Sequence, residues 1–228
     1  MRSKIDVEFY SGPYLLSGQL DVPNTKNEKY KTVFLIPGAP KHDRYGNVKG
    51  YKGYKNYFEP IVKLMIELNF AVFRWDKGGS GKSSSGLSFE SDILSAYKKL
   101  LSLKVIDHTN ITILAIGAGS GYVYRNWFEL NRLNKIDKLI LLATGINYKK
   151  IQDLNVPIYL ICKLENILRS KNALFDYSNK KGIPTFYYGA EKVNEQLLAS
   201  NTGVINMINE KDLEWSDEVL LKLKNWFS

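Results

Sequence analysis

A glycine-rich turn, two histidines and one cysteine hold most of the chemistry that this sequence offers. The turn is Gly117-Ala118-Gly119-Ser120-Gly121, set directly after the apolar run ITILAI at residues 111–116. A serine hydroxyl becomes a nucleophile only beside a base, and an imidazole base works when a carboxylate orients it. Ser120 supplies a hydroxyl, but a serine at a helix start more commonly caps or packs. The histidines are His42 and His108, and none follows His108. His42 adjoins Asp43 and Arg44, which read as an ion pair pinning their loop, with His42 a solvated neighbour. His108 precedes the 111–116 run and reads as incidental. Cys162 ends an apolar run and behaves as a small hydrophobe. No Cys, His and Asp group has metal-ligand spacing, so neither a metal nor a cofactor is expected.

Two loops carry further signals. GGSGKSS at residues 78–84 ends like a phosphate-binding loop, but that pattern needs a glycine where Asp76 stands. Nucleotide binding is therefore set aside. Residues 41–58 interleave Lys41, Arg44, Lys49, Lys52 and Lys55 with Tyr45, Tyr51, Tyr54 and Tyr57, against the single acid Asp43. Charge and stacking together suit an anionic or planar ligand. A solvated loop explains the same residues equally well.

The elements that position these groups alternate in type. Residues 4–10 and 14–22 read as a strand pair around Ser11-Gly12-Pro13, and 32–36 as a buried strand. A helix over 58–68 with Asn69 as its stop precedes a strand at 70–75. Ser88 is placed to cap a helix over 88–103, with Glu90 and Asp92 in its first turn. After the central strand and turn, a helix runs over 122–133, then strands over 138–143 and 156–162. A helix over 170–180, a strand over 183–188, a helix over 191–199, a strand over 204–208 and an amphipathic helix over 214–227 complete the chain. Strands alternating with helices imply an α/β fold, a mostly parallel sheet covered on both faces.

At 228 residues and 44% hydrophobic content, the chain can bury one substantial core, and a single domain over residues 1–228 is expected. Lysine and arginine total 32 against 23 acids, a formal charge of 32 − 23 = +9. That balance favours an anionic small molecule or an acidic partner protein. The basic residues are spread without a nucleic-acid-binding motif, so no nucleic-acid partner is expected. One cysteine cannot form an internal disulfide and suits a reducing compartment. MRSKIDVEFY has no apolar leader run and no stretch reaches membrane-spanning length, so a cytoplasmic protein without membrane contact is expected.

Three motifs, in order, resemble the α/β-hydrolase superfamily, and the resemblance runs over nearly the whole chain. FLIPGAPKHDRYGN at residues 34–47 is similar to the oxyanion loop HG-x-x-x-x-DR-x-G of the serine-hydrolase branch. RWDKGGSGKSSSG at 74–86 is similar to that branch's RYD-x-RG-x-G-S-x-G loop. The turn at 117–121 resembles the nucleophile elbow Gly-x-Nuc-x-Gly. The short segment 144–154 leaves no room for a cap domain. The resemblance places Gly119 in the nucleophile slot, Asn166 or its neighbour Glu165 in the acid slot, and the missing histidine within residues 192–209. It implies backbone amides of Ala39 and Ser120 as the anion hole, beside Gly38, His42 and Arg44 as ligand-binding residues. Ser120, His42 and Asn166 are weak substitutes for a triad. The expectation is an uncapped hydrolase-like fold with a degenerate triad, serving as a non-hydrolytic binding or accessory protein. The alternative is an esterase, thioesterase, lyase or cyclase with a non-standard site.

Overall fold

A computed structural model describes residues 2–51, 55–85, 88–191, 193, 197 and 214–227. Strand β1 (Arg2–Ser11) turns back into β2 (Tyr14–Pro23), and β3 (Tyr30–Ile36) leads to helix α1 (Glu59–Glu67). Then follow β4 (Ala71–Trp75), α2 (Phe89–Leu101), β5 (Ile106–Ile116) and α3 (Gly119–Leu133). The chain continues through β6 (Lys138–Leu142), α4 (Tyr148–Ile151), β7 (Ile158–Lys163), α5 (Leu164–Lys181), β8 (Thr185–Ala190) and α6 (Asp217–Phe227). The strands form one sheet in the order β1-β2-β4-β3-β5-β6-β7-β8. The β1–β2 and β2–β4 pairs are antiparallel and every other pair is parallel.

The apolar runs are continuous because both faces of the sheet are covered. On β3, Phe34 and Ile36 join one buried cluster while Val33 and Leu35 join the other. On β5, Ile113 and Ala115 pair with the first, and Leu114 and Ile116 with the second. Ile93, Tyr97, Val123 and Leu174 bring α2, α3 and α5 onto one face. Ile61, Met65, Val219 and Leu223 bring α1 and α6 onto the other. Ser88 caps α2 as its position implies, its Oγ accepting from the Ser91 amide at 3.2 Å. Asn69, placed to stop α1, has a left-handed φ of 61°.

Four differences from the sequence reading matter. The helix after the turn begins at Gly119 rather than Tyr122, and α5 begins at Leu164, directly after β7, rather than at Ser170. The central strand reaches back to Ile106, and the connection from β6 to β7 includes the short helix α4. That connection holds no cap. The helix expected over 191–199 and the strand over 204–208 fall outside the described residues, apart from the single positions 191, 193 and 197.

The chain leaves β3 toward β4 on one side and later leaves β5 toward β6 on the other. Loops after two such neighbouring strands diverge and open a crevice at their carboxyl ends, the usual ligand site of an open α/β sheet. The chain therefore brings the loop after Ile36 and the turn after Ile116 together at that edge.

Candidate functional site

β5 ends at Ile116, and the next residue makes the sharp turn. Gly117 donates its amide to Leu142 O at 2.8 Å and has φ +54°. Ala118 is already near-helical at φ −61°, ψ −15°, and α3 starts at Gly119. The left-handed residue of the elbow is Gly117, two positions before the residue the frame Gly117–Gly121 singled out. Gly119 is buried, and a Cβ built there would stand 2.7 Å from Ile36 O and 2.9 Å from Pro37 O. Both are backbone atoms that cannot swing aside, so glycine is required for close helix–strand packing. A Cβ on Gly117 would meet nothing nearer than Ala143 O at 3.9 Å. One glycine fills a tight contact; the other leaves room for a side chain. The signal was present in the sequence as Ala115-Ile116-Gly117-Ala118-Gly119, the same small-residue frame shifted back by two.

Ser120 is 4% exposed and turned inward. Its Oγ donates to Gly117 O at 2.8 Å and lies 2.9 Å from Thr144 Oγ1. Its amide closes the turn onto Gly117 O at 3.2 Å, which takes it out of the anion-hole role expected of it. Ala118 is the exposed residue of this turn. Across the crevice, a Cβ on buried Gly38 would stand 3.3 Å from Ile116 O and 4.0 Å from the Ala118 amide nitrogen. Ala39, next in line, is exposed. Ala39 and Ala118 thus flank the crevice floor at the start of a helix, where amide dipoles favour an anion.

His42 is not the solvated neighbour its sequence context implies. It is 2% exposed, its ring lying 5.2 Å from Phe58 and stacked 6.3 Å from Tyr57. Burial pushes its pKa down from 6.5 to about 4, against the pull of Gly46 O, and Lys77 lowers it further. A group this desolvated stays neutral at pH 7 and serves as packing. Arg44 does not pair with Asp43 either. Its guanidinium clasps Asp76, with Nε–Oδ1 at 3.1 Å and Nη2–Oδ2 at 2.7 Å, and it also bonds Ser17 Oγ and Gly18 O. Burial works against its charge, but Asp76 outweighs that and raises the pKa. At 4% exposure Arg44 cannot grip a ligand. Asp43 instead accepts from the Tyr45 and Asn47 amides at 2.8 and 2.9 Å, bracing its own turn.

Asp76 is the hub of the loop after β4. Besides Arg44 it accepts from the Lys82 amide at 2.8 Å, and Ser83 Oγ donates to its carbonyl at 2.7 Å. Gly81, at φ +51°, leaves room for that carboxylate; a Cβ there would fall inside it. Gly81 thus serves an internal ion pair. Asn166 stands half-buried in the first turn of α5, just past the carboxyl end of β7. His108 is exposed near the start of β5, at the opposite edge. Cys162 is fully buried.

No protein-family model and no curated protein matches this sequence. Solved structures do match. One described as m3DLH aligns over 99% of this chain and 97% of its own, with a TM-score of 0.65 at 10% identity. A dienelactone hydrolase-like promiscuous phosphotriesterase, P91, from metagenomic libraries covers 99% and 97%, at TM-score 0.63 and 12% identity. The Pyrococcus furiosus esterase Pf2001 covers 99% and 92%, at TM-score 0.64 and 13% identity. The chain has the α/β-hydrolase fold.

Within this α/β-hydrolase fold the crevice opens into two adjoining cavities. The larger, about 800 Å³, is lined by Ala39, Lys41, Asp43, Lys49, Tyr51 and Gly79 among others. Residues of the lysine- and tyrosine-rich stretch therefore do wall the site, though only some of those expected. Tyr57 is buried, its carbonyl accepting from Trp215 Nε1 at 2.6 Å, and Lys52 and Tyr54 lie outside the described residues. The smaller cavity, about 300 Å³, meets the first at Ala39, Lys41 and Gly79 and adds Lys77, Phe89, Asp92 and Tyr122. Sequence reasoning passed over Lys77, which is 5% exposed and donates to Gly38 O at 2.8 Å and Ala39 O at 3.0 Å. Among the described residues no helix is long and apolar enough to cross a membrane.

Proposed function

We propose that this α/β-hydrolase-fold protein binds a small anionic ligand at the Ala39–Ala118 crevice and does not form an acyl-enzyme. The observation that carries the reading is Gly117: the left-handed elbow position that would present a nucleophile has no side chain. The absence of any histidine after His108 supports it, as does the burial of His42 in an aromatic wall. The helix start after Ala118 and the exposed Lys41 and Lys49 favour an anion there. The triad is degenerate in this reading, and the protein is a cytoplasmic pseudoenzyme or accessory factor. An acidic partner protein is the larger ligand that the same charge would accept. The test is a fluorophosphonate probe and p-nitrophenyl esters against the purified protein, with no labelling and no turnover above background expected. Labelling that vanishes in Ser120→Ala overturns the proposal.

A second reading is a hydrolase with a non-standard site. It is favoured by the solved neighbours, whose names are those of an esterase and a phosphotriesterase. It requires Ser120 to release its bonds to Gly117 O and Thr144, and His42 to leave its buried site. A lyase or cyclase that uses the crevice amides without a covalent serine step needs neither change.

A further inference from the structure

We propose that Lys77 is a carbonyl-reactive amine and that the smaller cavity takes a small oxo acid. The inference rests on the anion-binding reading above and deepens it by naming the ligand class. Lysine becomes a nucleophile when it is desolvated or set beside another cation. Lys77 meets the first condition. It is 5% exposed, with its ammonium 3.9 Å from the centre of the Phe89 ring, and two carbonyls of the loop after β3 hold it against the cavity wall. Lys41 shares the cavity and lowers its pKa, while Asp92 and Glu90 raise it. Burial is the largest influence, and the outcome is a pKa lowered from 10.5 to about 8.

The surroundings specify the ligand. Phe89 and Tyr122 meet edge to face at 4.6 Å and line the cavity with Lys77, giving flat walls for a planar carbonyl. Asp92 is 2% exposed, and burial raises its carboxyl pKa against the pull of the Ser11 hydroxyl, the Gly78 backbone and Lys77. Lys41 lines the same cavity, so a carbonyl placed on Lys77 leaves a carboxylate of the same molecule within reach of a second cation. The step balances internally. The Lys77 nitrogen attacks the carbonyl carbon and a C–N bond forms. Two ammonium protons move to the oxygen, which leaves as water, and the product is a protonated imine. Asp92 is the carboxyl in that wall able to pass the proton.

The test is reductive trapping on the intact protein. The wild-type chain is incubated at pH 7.5 with glyoxylate and cyanoborohydride, and in parallel with acetaldehyde, which lacks the carboxylate. Adducts are mapped by peptide mass spectrometry. At that pH about a quarter of an amine with this pKa is neutral, on the order of a hundred-fold more than for an ordinary lysine. The expected result is glyoxylate modification at Lys77 at least ten-fold faster than at exposed Lys63 or Lys149. The glyoxylate preference over acetaldehyde should also be larger at Lys77 than at those two. If Lys77 leads but shows no such preference, the oxo-acid assignment falls, while the anion-binding reading stands on charge reversal at Lys41 and Lys49. If Lys77 does not lead, the amine site falls, and the anion-binding reading stands on its own test. Both arms use the unmutated protein, so no variant's folding enters the result.

Discussion

His42 offers a direct test of whether the loop after β3 is packed as described. The perturbation is pH, compared between the wild-type protein and His42→Gln. Folded His42 has a pKa of about 4 against 6.5 when exposed, so the folded state binds fewer protons than the unfolded state between these values. Its stabilising effect is complete above pH 6.5 and is lost as pH falls through that window. At pH 5 the difference works out to about 2 kcal/mol relative to pH 8. For a chain of this size that is roughly 4–8 °C in melting temperature. The glutamine variant cannot titrate. It should be less stable at neutral pH, yet its fall between pH 8 and pH 5 should be smaller than that of wild type by about 2 kcal/mol, within a factor of two. Urea unfolding at the two pH values measures both slopes. The chain has only two histidines, so an NMR titration resolves His42 from exposed His108. Parallel pH dependences in the two proteins, or a His42 midpoint near 6.5, would refute the packed, neutral histidine. It would also return His42 to the list of candidate bases.

Other expectations concern the two glycines, the hub and the rim. Gly119→Ala should destabilise by about 1–3 kcal/mol, because its Cβ meets two carbonyl oxygens; chemical denaturation will show it. Gly117→Ser should fold with a smaller loss, and should not gain esterase activity without a histidine base; a burst of acyl-enzyme would contradict this. Asp76→Asn should cost about 3–5 kcal/mol by leaving buried Arg44 with only the exposed Asp6 as counter-charge, measured by the same denaturation series. Lys41→Glu with Lys49→Glu should leave the melting temperature unchanged, both residues being exposed, and weaken capture of an anionic ligand that salt also weakens. Unchanged capture in that double variant would move the ligand away from the larger cavity.

The fold was legible because its signals are local and repeated. Apolar runs at 32–36, 70–75 and 111–116 are strands wherever both faces of a sheet are covered, and Ser88 and Asn69 mark helix ends by backbone chemistry alone. The site was only half legible. The small-residue spacing at 117–121 and at 115–119 satisfies the same pattern, and only the backbone angles and the pressure of Ile36 and Pro37 on Gly119 separate the two. The partner of Arg44 was hidden for another reason: Asp43 adjoins it in sequence, but the turn points Asp43 at its own amides, and Asp76 comes up from the loop after β4. Lys77 carries no sequence signal, since one lysine in a basic chain stands out only once burial and the carbonyls of Gly38 and Ala39 are known.

The openness around Gly117 bears on how such a chain changes over generations. A left-handed backbone is strained for any residue with a side chain and relaxed for glycine, by roughly 1–2 kcal/mol. A Cβ there would touch only Ala143 O at 3.9 Å, so a side chain replaced by glycine at this point relieves strain and gives up little packing. Loss of the reactive atom is then favoured by stability, while its return is opposed. A lineage that drifts to glycine here meets a one-way step. It keeps the crevice with no stability pressure toward a side chain at this position, free to take on other ligands.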